Sequence, residues 1–142
     1  MKRRDTLLRL KRFRTDELKR RLASLDEMKA DLERKLADLN DTVTREKQRA
    51  SDSDIGRLAF PSFLKSIDER RRNLRATMKE LERERAGAQE ALTEAFRDLK
   101  SFELAEEERL RRQTEAEARA TQSRLDEMAL ARHLRKHALR QL

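Results

Sequence analysis

At 142 residues the chain is long enough for one ordinary domain, but 45% of it is charged, against about 25% in a typical domain, and it has 2 Gly, 1 Pro and no Trp, Tyr or Cys. Too few large apolar residues exist to fill a three-dimensional core, so this composition supports a one-dimensional seam between long helices. Cysteine chemistry and disulfides are excluded, no run of about 18 apolar residues reads as a membrane span, and the basic start Met1-Lys-Arg-Arg-Asp is not followed by an apolar run of secretory type. A cytoplasmic protein is the expectation. The formal charge of +8 gathers at the ends: residues 1–22 hold ten Lys/Arg against three Asp/Glu, and residues 132–142 hold four Lys/Arg and no acid. Basic ends point to acidic neighbours, nucleic acid or a membrane surface.

In chain order, Leu7, Leu10 and Phe13 come first, stepping by three among Lys11, Arg12 and Arg14. They lie off the stripe that follows. They are either a phase shift of that stripe or a basic amphipathic patch for a partner or anionic surface. Leu18, Leu22, Leu25, Lys29, Leu32, Leu36, Leu39 and Val43 then alternate steps of four and three, the heptad pattern of a coiled-coil seam. The pattern stops near Arg49, and Ala-Ser-Asp-Ser-Asp-Ile-Gly at 50–56 reads as a turn. Pro61 suits the first turn of a helix and not its interior. The expected elements are therefore helix one at about 3–50, a hinge at about 51–60 and helix two at about 61–140 of a single 1–142 hairpin.

Helix two carries its own stripe: Leu64, Ile67, Arg71, Leu74, Met78, Leu81, Arg85, Ala88, Leu92, Ala95, Leu99 and Phe102. Beyond it, Leu125, Met128, Leu130, Leu134 and Leu139 return without a single phase. Two heptad helices joined by a short turn fold back antiparallel. One register then aligns Leu39 with Leu74, Leu36 with Met78, Leu32 with Leu81, Leu25 with Ala88, Leu22 with Leu92 and Leu18 with Ala95. The predicted fold class is all-α, a long antiparallel two-helix coiled-coil hairpin with an overhanging second helix. Its seam is Leu18, Leu22, Leu25, Leu32, Leu36, Met78, Leu81, Leu92 and Leu99. Gly87 falls on the outer face, where it weakens the helix by about 1 kcal/mol relative to Ala.

Three constellations need weighing. Lys29 opposite Arg85 puts two cations on the seam; they either reach outward to Asp26, Glu33 or Glu84 or form a weak layer that sets register. At the hinge, Phe60 and Phe63 either plug the end of the hairpin or offer an apolar tip to a partner. His133 and His137 stand at i, i+4, but cations surround them and the expectation is solvated surface, not a metal site. No phosphate loop, nucleophile elbow or metal-spaced cluster occurs, and two helices offer no cleft to desolvate paired carboxylates. The chain is expected to be no enzyme, with no cofactor and no small-molecule substrate. A basic coiled-coil scaffold or nucleic-acid-binding protein is the alternative reading, although Leu7, Leu8, Leu10 and Phe13 interrupt the basic region that a zipper protein would use.

The start Met1-Lys-Arg-Arg-Asp-Thr-Leu-Leu-Arg-Leu-Lys-Arg-Phe-Arg, the segment Leu58-Ala-Phe-Pro-Ser-Phe63, then Asp68-Glu-Arg-Arg-Arg-Asn-Leu74-Arg, and Leu92, Phe96, Leu99 and Glu103 on the second helix resemble the flagellar export protein FliJ family. The resemblance runs over essentially the full length. It implies a soluble component of the bacterial flagellar type III export apparatus, at the cytoplasmic face of the inner membrane and serving motility. The implied partners are the hexameric export ATPase, the cytoplasmic domain of the gate protein FlhA and the export chaperones. By the same resemblance, gate binding falls at the hinge tip on Leu39, Val43, Phe60, Phe63, Ile67 and Leu74. Contact with the ATPase ring falls at the open end on Leu7, Leu10, Lys11, Arg12, Phe13 and Arg14.

Overall fold

The computed structural model describes residues 2–141. They form two helices, α1 (Lys2–Ala50) and α2 (Asp54–Arg140), and among the described residues there is no strand. The chain divides into two compact units, Met1–Arg97 and Asp98–Leu142. The first unit is the hairpin, α1 packed antiparallel on the first part of α2. The second unit is the remainder of α2.

α1 is built without a helix breaker: residues 2–50 contain neither Gly nor Pro. At 49 residues it runs about 70 Å at ~1.5 Å per residue. Its last turn carries Lys47 and Arg49 against the negative end of the helix dipole. Both glycines and the proline lie in α2, which is 87 residues long and continuous through all three.

The seam is where the 3–4 stripes meet. Leu25 is fully buried, Ile67 is 3% exposed, and Leu18 and Leu81 are 8% exposed. Leu22, Leu32, Leu36, Met78 and Leu92 are half-buried, as is Leu99 in the second unit. The stripe also continues beyond these residues at both ends of α1. Leu8, Lys11 and Thr15 continue its steps back from Leu18, and Glu46 and Ala50 continue them past Val43; all five are buried or half-buried.

Three ion pairs across the seam fix the antiparallel register: Arg21 Nη2 to Glu84 Oε2 at 3.2 Å, Lys29 Nζ to Glu82 Oε1 at 2.9 Å and Arg85 Nε to Asp26 Oδ1 at 2.5 Å. Leu39 and Leu74, paired on sequence grounds, line one shallow groove with Lys35, Asp38, Arg70, Asn73 and Thr77.

The hinge is shorter than the sequence suggested. α2 begins at Asp54, so Pro61 sits inside the helix and does not start it. Ser53 is the reason: its Oγ accepts the Gly56 N–H at 3.0 Å, an N-cap bond that satisfies one of the orphan donors of the first turn. Starting there also brings Gly56 and Phe60 onto the seam side, which offsets the backbone bond lost at the exposed Pro61. The other side of the turn is closed by Ser51 Oγ on the Gln48 carbonyl at 2.6 Å and by the Arg57 guanidinium on the Ser51 carbonyl at 3.3 Å. Among the described residues none takes a positive φ. Gly56 is needed for proximity: a Cβ there would stand 3.0 Å from the Ala50 Cα and 2.8 Å from Ser53 Oγ.

Two substitutions of opposite sign test this architecture. Leu25→Ala empties the most deeply enclosed apolar position among the described residues and is expected to cost about 3 kcal/mol. At Gly87 a Cβ would meet nothing within 4 Å, so Gly87→Ala is expected to add about 1 kcal/mol of helix propensity. Urea unfolding followed by circular dichroism reads both.

Candidate interaction surfaces

The hinge end separates into a covered part and an open part. Phe60 and Phe63 are half-buried, their ring centroids 6.3 Å apart with planes tilted by 34°, a separation within the range of favourable aromatic pairs. They line a recess with Glu46, Arg49, Ala50, Ser53, Gly56 and Ala59. They form the plug that closes the hairpin. Ile67 is core, and Leu39, Val43 and Leu74 are half-buried along the seam. The open apolar surface is instead Ile55 and Leu58, each 82% exposed. Sequence reading missed both as a surface because it kept 51–60 out of the helix. With α2 starting at Asp54, their i, i+3 spacing places them on one outer face.

At the other end of α1, Leu7 is 45% exposed, and Leu10 and Phe13 are 58% exposed. The seam passes them by through Leu8, Lys11 and Thr15, so the row is an off-seam patch and not a phase shift of the seam. Arg12 and Arg14 are exposed beside it and Lys11 is half-buried; Arg14 also faces Glu17 at 3.6 Å.

The seam cations find carboxylates across the interface. Arg85 takes Asp26, one of its expected partners. Lys29 takes Glu82, while Glu84 is held by Arg21. The Arg85 guanidinium is held even more firmly protonated than usual, first by its hydrogen bond to Asp26 and then by that carboxylate's charge. Arg71 is different. Its Nη1 reaches Asp68 at 3.3 Å, but its Nε is buried without a partner on the seam side.

In the second unit, Arg111 and Arg112 both bond Glu108 within one helical turn. Its carboxyl is lowered, mainly by the Arg111 hydrogen bond and against some desolvation. His133 and His137 are exposed, and His137 Nε2 lies 3.4 Å from the Gln141 amide nitrogen. Among the described residues no group of three or more His, Cys, Asp or Glu is placed to hold a metal ion, and no helix is long and apolar enough to cross a membrane.

Two long helices packed antiparallel along a charge-paired apolar seam define an all-α hairpin of coiled-coil type. The family model for the flagellar FliJ protein matches residues 1–138, and the chain belongs to that family. It is thereby a component of the flagellar type III export apparatus. No curated protein and no solved structure matches the chain.

The orphaned Arg71 nitrogen yields a stability test. Arg71→Leu removes a buried unsatisfied donor, adds apolar area to the seam, and leaves Asp68 exposed to water. The expected gain is about 1 kcal/mol, read as a rise in thermal midpoint.

Proposed function

We propose that the chain is a non-catalytic stalk that couples the flagellar export ATPase ring to the export gate and assists the handling of export chaperones. It would work at the cytoplasmic face of the inner membrane. The observation that carries this reading is the family match over residues 1–138 in a hairpin with one exposed apolar row near the start of α1, Leu7, Leu10 and Phe13, and another at the start of α2, Ile55 and Leu58. A protein that joins two machines needs two surfaces far enough apart to be engaged together, and α1 is about 70 Å long. The Leu7–Leu10–Phe13 row with Arg12 and Arg14 would face the ATPase. The hinge would face the cytoplasmic domain of FlhA. Ile55 and Leu58 would make first contact there, with Leu39 and Leu74 presenting their groove along the seam. Phe60, Phe63, Val43 and Ile67 would support that surface from beneath.

The test is ATP turnover by the purified flagellar export ATPase as the chain is titrated in at constant salt. A saturable rise at a ratio well below one chain per ATPase subunit is expected. Leu10→Ser with Phe13→Ser should abolish the rise while leaving helicity intact. No rise with folded protein would sink the ATPase half of the proposal. For the gate half, Ile55→Ser with Leu58→Ser should weaken FlhA binding about tenfold without lowering the thermal midpoint, since losing a pair of interface contacts is worth about 1.4 kcal/mol. Unchanged FlhA binding by that variant and by Phe60→Ala with Phe63→Ala would remove the hinge from the gate contact.

A further inference from the structure

The last four turns of the second unit form a basic amphipathic helix, separate from both the hinge and the Leu7–Phe13 row. Residues 128–141 hold four Lys/Arg, two His and no Asp or Glu. Met128, Leu130, Leu134 and Leu139 are 67%, 59%, 58% and 71% exposed. At about 100° per residue, Arg132, Lys136, Arg140, His133 and His137 gather on one side of the helix. Leu130, Leu134, Ala138, Ala131, Met128 and Leu139 spread over roughly the opposite half, with Arg135 set among them. The cations are also unlike those earlier in the unit. Arg109, Arg111 and Arg112 are paired with Glu106 and Glu108, whereas among the described residues none of Arg132, Arg135, Lys136 and Arg140 has a carboxylate partner.

We infer that this helix face is a docking surface for an anionic lipid bilayer. Two features of the segment select a lipid surface over a partner helix. A coiled-coil partner needs a narrow unbroken stripe at alternating three and four steps. From Leu125 those steps give Met128, Arg132, Arg135 and Leu139, and from Leu130 they give Leu134, His137 and Gln141; both are broken by polar residues. An apolar arc as wide as half the helix, without a stripe, suits a continuous apolar medium. Charge selects the sign of that medium: four cations without a carboxylate among the described residues, in a segment with no acids, match anionic headgroups. Arg135 keeps its guanidinium at the headgroup level by extending its stem along the apolar face. This surface is independent of the stalk assignment, because it uses neither the hinge nor the Leu7–Phe13 row.

The experiment is flotation of the whole chain with phosphatidylglycerol-rich vesicles and with pure phosphatidylcholine vesicles, at low and high salt. Binding to the anionic vesicles alone, weakened by salt, is expected. Leu130→Glu with Leu134→Glu should lower it at least tenfold, and Arg132→Gln with Lys136→Gln should lower it and flatten the salt response. Ile55→Ser with Leu58→Ser should leave it unchanged. Failure to float with anionic vesicles while circular dichroism shows intact helix overturns the inference. Binding to soluble polyglutamate in place of vesicles also overturns it, and assigns the face to an acidic polypeptide. Flotation of the unaltered chain without any stimulation of the ATPase would count against the stalk and leave the lipid surface standing.

Discussion

One apolar stripe on each helix holds α1 against the first part of α2, and the rest of that unit is arranged around this constraint. A two-helix seam encloses few side chains: among the described residues the buried apolar ones are Leu18, Leu25, Ala50, Ile67 and Leu81. Most positions off the stripe face water. That is why a chain with 45% charged residues folds as this pair, and why its helices need the stripe to be stable, since helical propensity alone is marginal for holding tertiary structure. The stripe is not purely apolar. Lys29 and Arg85 interrupt it, and each is tolerated because its long stem can lie along the seam while the charge reaches a carboxylate on the facing helix. Arg71 is the case where that solution is incomplete, because only its outer nitrogen finds Asp68.

The hinge solves a second problem, reversing direction without leaving the last carbonyls and first amides of two helices unpaired. It does so with serines and no left-handed residue. Ser51 and Arg57 occupy carbonyl oxygens at the turn, and Ser53 caps the start of α2. The absence of a side chain at Gly56 lets the two backbones approach at Ala50. Once they are that close, Phe60 and Phe63 cover the recess beside Ala50 and Glu46. The plug therefore depends on the early start of α2. A helix beginning at Pro61 would have left Gly56 and Phe60 in the turn.

The fold was legible where it depends on periodicity. The 3–4 stripes fall on buried or half-buried positions, and Leu39 and Leu74 line one groove, because a heptad pattern is a direct imprint of which face is dry. The boundary of α2 was not legible from Pro61 alone. A proline marks a preference for the first turn, but a serine cap and the placing of Gly56 and Phe60 against the seam outweighed it. That single boundary also hid Ile55 and Leu58, whose exposure follows only once 54–60 is helical. The partners of Lys29 and Arg85 were legible in kind and not in full: the need for a carboxylate follows from chemistry, whereas Glu82 in place of Glu33 or Glu84 depends on side-chain geometry across the seam.

Candidate surfaces were harder to read than the seam for a physical reason. The seam answers to residues in the same chain, so pattern and structure constrain each other. An exposed leucine answers to nothing inside the chain, and single exposed apolar residues are ordinary. What distinguishes Leu7–Leu10–Phe13, Ile55–Leu58 and the 128–139 arc is that each is a group on one helix face, and the three differ in their charged setting. The first is flanked by Arg12 and Arg14. The second has one acid and one base beside it in the chain, Asp54 and Arg57. The third carries cations with no carboxylate among the described residues to meet them. Hydrophobic contact is non-directional, so it supplies affinity without choosing a partner; charge supplies the choice. Three apolar groups with three different charge environments are therefore equipped for different neighbours, and substituting one is expected to leave the seam and the other two undisturbed.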